Sequence, residues 1–212
     1  MKLLRHLLVF LLLAIPAAAS AADVGLEPPQ WSLEFKGGRF YPDIDNWKDY
    51  YGSTMMGRYA GSLAFTLLRQ LEVGVEAGYS RDRGFEYAPI NGIMTGQVTY
   101  EVAPVSLFVL ARAAFYGDQL FVPYIGGGFT RVYYREKTTD SGIIRGSADG
   151  YHWRGGIEML LDNIDTSAAN SMFLDYGVQH TYLFAEIEVV HAMKESINLG
   201  GNSYLAGFRF EF

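Results

Sequence analysis

The fold class is decided by the stretch Leu71-Glu72-Val73-Gly74-Val75-Glu76-Ala77-Gly78-Tyr79, which alternates strictly between two kinds of residue. Its odd positions are apolar or aromatic, and its even positions are glutamate or glycine. Successive side chains of a β-strand point to opposite faces of the sheet, so this period of two predicts a strand with one apolar and one polar face. The same period recurs at 59–67, 153–159 and 204–212, and the sequence therefore predicts an all-β protein.

Extending this pattern along the chain predicts eight strands, at 31–41, 57–68, 71–81, 95–115, 121–135, 151–162, 172–191 and 203–212. Connections after odd strands are long and polar, near 42–56, 82–94, 136–150 and 192–202, and those after even strands, near 69–70, 116–120 and 163–171, are mostly shorter. Short turns at one rim and long loops at the other are typical of bacterial membrane barrels. We therefore expect an eight-stranded antiparallel transmembrane up-and-down β-barrel.

Pro104 lies inside the fourth predicted strand and leaves the strand count open. If the proline formed a turn, the chain would have nine strands, whereas bacterial single-chain barrels have even numbers. A single long strand with a β-bulge at Pro104 is the expectation, because bulges tolerate proline. A ten-stranded barrel stays open if 172–191 also divides.

The polar faces of these strands carry charges of both signs, many of them in mid-strand. The interior of an eight-stranded barrel is only wide enough to be filled by side chains, so charges facing inward would have to pair across it. A soluble barrel would have the reverse orientation, with apolar side chains inside and charges in water. The membrane barrel predicts a lumen ion-pair network formed by Glu34, Lys36, Arg58, Glu72, Glu76, Arg112, Arg154, Glu158, Glu186, Glu188, Arg209 and Glu211.

Both ends of the sequence favour the membrane barrel. Residues 1–21 have a basic start, an apolar run and the small residues Ala19-Ser20-Ala21, which is the layout of a secretory signal peptide. Residues 22–30 are then a short periplasmic segment, and 31–212 form the barrel. The last strand carries Gly207, Phe210 and Phe212, a spacing that looks like the sorting signal read by the outer-membrane barrel assembly machinery.

Aromatic residues gather near the predicted strand ends, where girdles at the two membrane interfaces would lie. We assign to these girdles Trp31, Phe40, Tyr41, Trp47, Tyr79, Tyr100, Phe115, Tyr116, Tyr133, Tyr134, Trp153 and Tyr182.

Three segments carry a resemblance to a known class of protein: Tyr41 to Asp45, Pro123 to Phe129, and the Phe-terminated last strand. They resemble small outer-membrane β-barrel proteins of the OmpA-transmembrane-domain and OmpW kind, with the nearest likeness to poorly characterised barrel proteins of myxobacteria. The resemblance implies an outer-membrane location, with outer-membrane lipids and lipopolysaccharide as partners.

Composition and spacing narrow the function without identifying it. The formal net charge is −6 and no basic block is present, which argues against a nucleic-acid partner. The absence of cysteine excludes disulfides and thiolate metal sites. No spacing predicts a metal site, a cofactor or a catalytic residue, and no protein partner can be inferred. His191 and Ser196 are residue types used by lipid A deacylases but stand in the wrong order and spacing.

We therefore expect a non-enzymatic barrel with a structural, envelope or surface-interaction role. One alternative is a narrow channel or conduit for small hydrophobic molecules, as the resemblance to the OmpW kind implies. Another is a lipid A-modifying enzyme.

Overall fold

The computed structural model describes residues 29–87, 94–115, 119–139, 142–194 and 197–212, so the predicted signal peptide lies outside it. In these ranges the chain forms β1 (Trp31–Pro42), α1 (Trp47–Tyr51), β2 (Met56–Leu68), β3 (Leu71–Tyr87), β4 (Met94–Arg112), β5 (Phe121–Thr138), β6 (Gly142–Leu160), α2 (Thr166–Tyr176), β7 (His180–Lys194), β8 (Ile197–Asn198) and β9 (Gly201–Glu211). Neither helix within the described ranges has the length and hydropathy needed to cross a bilayer.

Eight of the strands close into a barrel. Strands β1 to β7 each pair antiparallel with the next, β7 pairs with β9, and β9 pairs with β1. The two-residue β8 pairs only with the end of β7. Residues 43–55 join β1 to β2 at one end of the barrel, termed here the loop rim, and residues 69–70 join β2 to β3 at the other, the turn rim. The predicted eight-stranded antiparallel up-and-down barrel is confirmed, and the ten-stranded alternative is wrong.

Side chains alternate between the interior and the outer surface. On β5, Tyr124 and Thr130 are buried, whereas Phe121, Ile125 and Phe129 are more than half exposed. Exposed apolar side chains form a belt around the outer wall, which includes Phe35, Val75, Leu107, Val109, Phe121, Ile125, Phe129, Trp153, Ile157, Leu183, Ile187 and Phe208.

The expected bulge at Pro104 is wrong. Ala77 pairs with Val105 and Ser80 pairs with Val102, so the register between β3 and β4 is the same on both sides of the proline. Pro104 faces Gly78, where a Cβ atom would approach the proline ring to 3.1 Å. The glycine makes room for the ring, and β4 therefore passes the proline without an extra residue.

The hairpins at the loop rim are longer than predicted. β3 continues to Tyr87, β5 to Thr138, and β6 starts at Gly142 instead of residue 151. Thr138 pairs with Gly142, so most of the predicted loop 136–150 is a regular hairpin. These strand ends stand clear of the apolar belt, and the alternation that identified the other strands is absent there.

The seventh predicted strand is wrong in its first half, because α2 occupies 166–176. The side chain of Asp165 accepts a hydrogen bond from the backbone N–H of Ala168 and caps the helix. Gly177 ends it in the left-handed conformation, which glycine adopts without steric cost. Strand β7 starts only at His180, so the connection after β6 at the turn rim is much longer than predicted.

Candidate functional site

The middle of the barrel interior is filled by paired charges, which we call the ionic centre. It holds five cations and seven carboxylates, and each is at most 6% exposed. Its members are Lys36, Arg58, Arg112, Arg154 and Arg209, with Glu34, Glu72, Glu76, Glu158, Glu186, Glu188 and Glu211.

The upper half of the ionic centre, nearer the loop rim, joins strands that are not neighbours. Lys36 on β1 contacts Glu186 on β7 at 2.6 Å and Glu76 on β3 at 2.7 Å. Arg58 on β2 contacts Glu188 on β7 at 2.8 Å. Only β9 separates β1 from β7, but β3 and β7 face each other across the eight-stranded barrel, so Lys36 bridges opposite walls through Glu76 and Glu186. Arg58 joins two strands that are separated by β1 and β9.

The lower half is organised around two arginines. Arg112 contacts Glu72 at 3.0 Å and Glu211 at 2.6 Å, and also pairs closely with Glu158. Arg209 contacts Glu211 at 3.1 Å and pairs closely with Glu72. Arginine suits these positions because its planar guanidinium can donate to several carboxylates at once.

Glu34 connects the two halves into one network. One carboxylate oxygen lies 2.9 Å from Arg209 and the other 3.3 Å from Arg154. The second oxygen also accepts a hydrogen bond from the Ser62 hydroxyl at 2.6 Å. The Arg154 guanidinium lies 4.0 Å from the centre of the Phe108 ring. Such buried charges are compatible with a folded protein only when each is paired and hydrogen-bonded.

A chain of neutral hydrogen bonds lies beside the ionic centre. The Ser106 and Thr130 hydroxyls are 2.8 Å apart, and the Thr130 hydroxyl lies 2.7 Å from His152 Nδ1. All three side chains are buried. Because these side chains are buried inside the barrel, a substrate at the protein surface cannot contact them.

An apolar cluster closes each end of the interior. The upper cluster, at the loop rim, consists of Phe40, Trp47, Met56, Tyr100, Val102, Val132, Ala148, Val190, Ala192 and Leu199. The lower cluster, at the turn rim, consists of Ala114, Val122, Leu160 and Tyr182. In the upper cluster, Trp47 from α1 stacks on Tyr51 with ring centres 3.8 Å apart and meets Tyr100 edge-on. A third apolar cluster, of Ala64, Phe108, Leu110 and Tyr124, lies beside the ionic centre. The interior is therefore mainly ionic in its middle and apolar at both ends.

Four aromatics assigned to the membrane girdles belong to these clusters instead, and a fifth, Tyr134, packs against the upper cluster, so these five assignments are wrong. Phe40, Trp47, Tyr100 and Tyr182 are each at most 5% exposed. Tyr116 lies outside the described residues.

Two cavities of the described structure can be compared with a path through the barrel, and neither provides one. The interior one, beside Arg58, has a volume of about 10 Å³, which is room for one water molecule. The other is an open depression of about 540 Å³ on the outer wall, over Gly126–Gly128 and beside Trp153. Within the described ranges, no group of three or more His, Asp or Glu side chains is placed to hold a metal ion.

The structure brings all the predicted lumen residues into one network. Ser196, the candidate nucleophile of the deacylase alternative, lies outside the described residues. His191 contacts the Tyr151 ring on the outer wall, with ring centres 5.3 Å apart.

Of the predicted assembly signal, Gly207 packs against β1, where a Cβ atom would lie 2.0 Å from the Phe35 carbonyl oxygen. The backbone N–H of Phe212 donates to the Trp31 carbonyl at 2.8 Å.

Comparison with known proteins identifies the fold alone. No protein-family model matches the chain, and no curated relative is found by sequence. Neisserial surface protein A is similar in structure, with a TM-score of 0.57 at 11% identity over 86% of this chain and 97% of that one. OprG from Pseudomonas aeruginosa also gives a TM-score of 0.57, at 10% identity over 89% and 98% of the two chains.

The attachment invasion locus protein Ail of Yersinia pestis, solved with the heparin analogue sucrose octasulfate, gives a TM-score of 0.50 at 9% identity. The alignment covers 88% of this chain and 100% of the Ail chain. The chain thus has the fold of small eight-stranded outer-membrane barrels, in agreement with the resemblance seen in the sequence. The myxobacterial likeness stays a prediction.

Proposed function

We propose that the chain is an integral outer-membrane protein whose closed, rigid barrel has a structural role in the envelope and presents its loop rim at the cell surface. The apolar belt supports membrane insertion. Soluble monomers rarely expose contiguous apolar surface on this scale, and lipid tails are the medium that such a wall fits. Export by a signal peptide and assembly through Gly207, Phe210 and Phe212 belong to the same proposal.

The observation that carries the structural role is the filling of the interior. Ions crossing the barrel would have to pass the upper apolar cluster, the ionic centre and the lower apolar cluster in turn. In the ionic centre, Lys36 and Arg58 already bind carboxylates of strands that are not their neighbours, at 2.6 and 2.8 Å. This arrangement argues against a channel, and the buried position of the ionisable groups argues against a lumen enzyme.

The first experiment tests membrane residence. The expressed chain should fractionate with the outer membrane and migrate differently on gels before and after heating, as folded barrels do. Recovery in the soluble periplasmic fraction would contradict the proposal.

The second experiment tests closure. Purified barrel in planar bilayers should give no stepwise conductance. The double variant F40A/W47A, which removes two rings of the upper cluster, should also stay silent because the ionic centre still fills the lumen. Defined openings by the wild type would contradict the closed interior and favour the channel alternative.

The third experiment tests the enzyme alternative. Lipid A from cells that express the protein should keep its acylation pattern, and altered acylation would favour a lipid A-modifying enzyme.

A further inference from the structure

Basic side chains on the outer wall gather at the loop rim, on strands β3, β5 and β6. Cross-strand pairing aligns them in two adjacent rows, which we call the two basic rows. The first row is Arg81–Glu101–Arg135–Arg145, and the second is Arg83–Thr99–Lys137–Ile143. Neighbouring strands are about 4.8 Å apart, so each row brings its side chains within reach of a single ligand.

The two basic rows hold five cations and one carboxylate, although the chain as a whole has a net charge of −6. Glu101 lies 3.1 Å from Arg135 and 3.9 Å from Arg81, and accepts a hydrogen bond from the Tyr79 hydroxyl. The side chains of Arg83, Lys137 and Arg145 are exposed and form no ion pair within the described part of the chain. The rows are therefore a local excess of positive charge on the side wall.

The wall changes character in a fixed order below the rows. Moving down β5 from Arg135, the outward side chains are Tyr133, which is 47% exposed, then Arg131, then Phe129 of the apolar belt. Arg135 and Phe129 are six residues apart, which is roughly 20 Å along a strand and less in height because barrel strands tilt. The apolar belt, a level that holds Tyr133 and the Arg131–Asp149 ion pair, and the basic rows match in this order the hydrocarbon, interface and headgroups of a lipid leaflet.

We propose that the two basic rows bind the phosphate groups of a lipid in the outer leaflet, beside the wall formed by β3 to β6. Guanidinium groups bind phosphate oxygens through paired hydrogen bonds, and Arg81, Arg83, Arg135 and Arg145 supply four of them. The rows face sideways at the level just above the belt, which is where a lipid headgroup reaches the wall. This inference rests on the proposed membrane residence.

Native mass spectrometry of the full chain in detergent, titrated with lipid A, tests the inference. The probes are lipid A with two phosphates and the same lipid after dephosphorylation. The variant R83Q/K137Q/R145Q removes the three cations that form no ion pair. Arg39→Gln is the matched control, because Arg39 is an exposed, outward arginine on β1 whose cross-strand partners are Gly57 and Tyr204.

The wild type should retain the phosphorylated lipid, and the triple variant should lose about fivefold in apparent affinity for each charge removed. The R39Q control should bind as the wild type does, and the dephosphorylated lipid should bind weakly to all three proteins. Equal retention of the phosphorylated lipid by the wild type and the triple variant would overturn the inference. Equal retention of both lipids by the wild type would also overturn it.

Competition with sucrose octasulfate separates a lipid site from a site for a soluble polyanion. If it displaces phosphorylated lipid A only weakly, the lipid assignment stands; if it binds the rows more tightly than the lipid, the assignment is overturned. Before any binding measurement, the wild type and each variant are shown to be folded by the difference in their gel migration before and after heating. A wild type that never folds in lipid contradicts the proposed function, whereas a folded barrel without phosphate preference contradicts only this inference.

Discussion

The middle of the barrel interior and its two ends are built from opposite kinds of side chain. The ionic centre buries twelve charged side chains, each paired with others from different strands. The upper and lower clusters bury almost only apolar side chains, packed around Trp47 and Tyr100 at one end and around Leu160 and Tyr182 at the other. Both arrangements fill the same narrow tube.

The difference shows what each arrangement requires. A buried charge needs partners on several sides, and the middle of the tube is the part that lies farthest from the water at either rim. The ends lie next to water, where an open ionic network would be hydrated. Apolar side chains there exclude water from the ionic centre and so preserve the strength of its pairs.

The largest expected effect comes from breaking the ionic centre at Arg209. Arg209→Leu would remove a cation that lies no more than 3.1 Å from each of Glu34, Glu72 and Glu211. Removing one partner of a buried ionic network costs about 3–5 kcal/mol, and this is the expected fall in the free energy of unfolding. Urea titration of the barrel in lipid vesicles, followed by tryptophan fluorescence, measures it. Tyr204→Phe, at an exposed position of the same strand, is the control, and an R209L variant as stable as the wild type would contradict the role of the network.

Much of this comparison could be predicted from the sequence, because strand alternation fixes which side chains face inward. It placed Glu34, Lys36 and Arg209 inside without any knowledge of their partners. The pairings could not be predicted, since Lys36 and Glu186 are 150 residues apart and meet only through barrel closure. They depend on the register of all the intervening strands.

The apolar ends were missed although part of the signal was present. Phe40 stands an even number of residues after Lys36, Tyr100 before Arg112, and Tyr182 before Glu186. The same alternation therefore turns all three inward, against the general tendency of strand-end aromatics to face the interface. Trp47 lies in a connection, where alternation gives no information. The basic rows were missed because their members are scattered from 81 to 145 in the sequence.

The lower cluster offers the next largest effect. Leu160 is 1% exposed and packs with Val122 and Tyr182. Leu160→Ala should lower the free energy of unfolding by about 2–5 kcal/mol, because the lost contacts leave a cavity that the barrel walls cannot close. Ile157→Ala, on the outer wall of the same strand, should cost less, since lipid fills the space. Equal losses in the same urea titration would mean that the lower end is not tightly packed.

The hydrogen-bond chain beside the ionic centre sharpens the comparison with a smaller effect. Thr130→Val keeps the shape of the side chain but leaves Ser106 and His152 Nδ1 without their shared partner. A buried polar group left without a partner costs about 1–3 kcal/mol. Ser106→Ala should cost less, because Thr130 then keeps its contact with His152. If T130V and S106A are equally stable in the urea titration, the hydrogen bond between Thr130 and His152 does not contribute to the free energy of unfolding.

The smallest effect is expected from an ion pair outside the barrel, which has the same chemistry as the ionic centre without its burial. Arg131 and Asp149 are joined at 2.6 and 2.8 Å on the outer wall, and their side chains are about half exposed. The pair lies at the interface level of the wall, beside Tyr133, where water and headgroup ions screen it, so Asp149→Asn should leave the urea midpoint nearly unchanged. Glu158→Gln, at a carboxylate that is 1% exposed, should lower the midpoint clearly because Arg112 and Arg209 lose a charged partner. If the two substitutions had the same effect, the strength of these pairs would not depend on burial, and the contrast between the sealed middle and its surroundings would lose its physical basis.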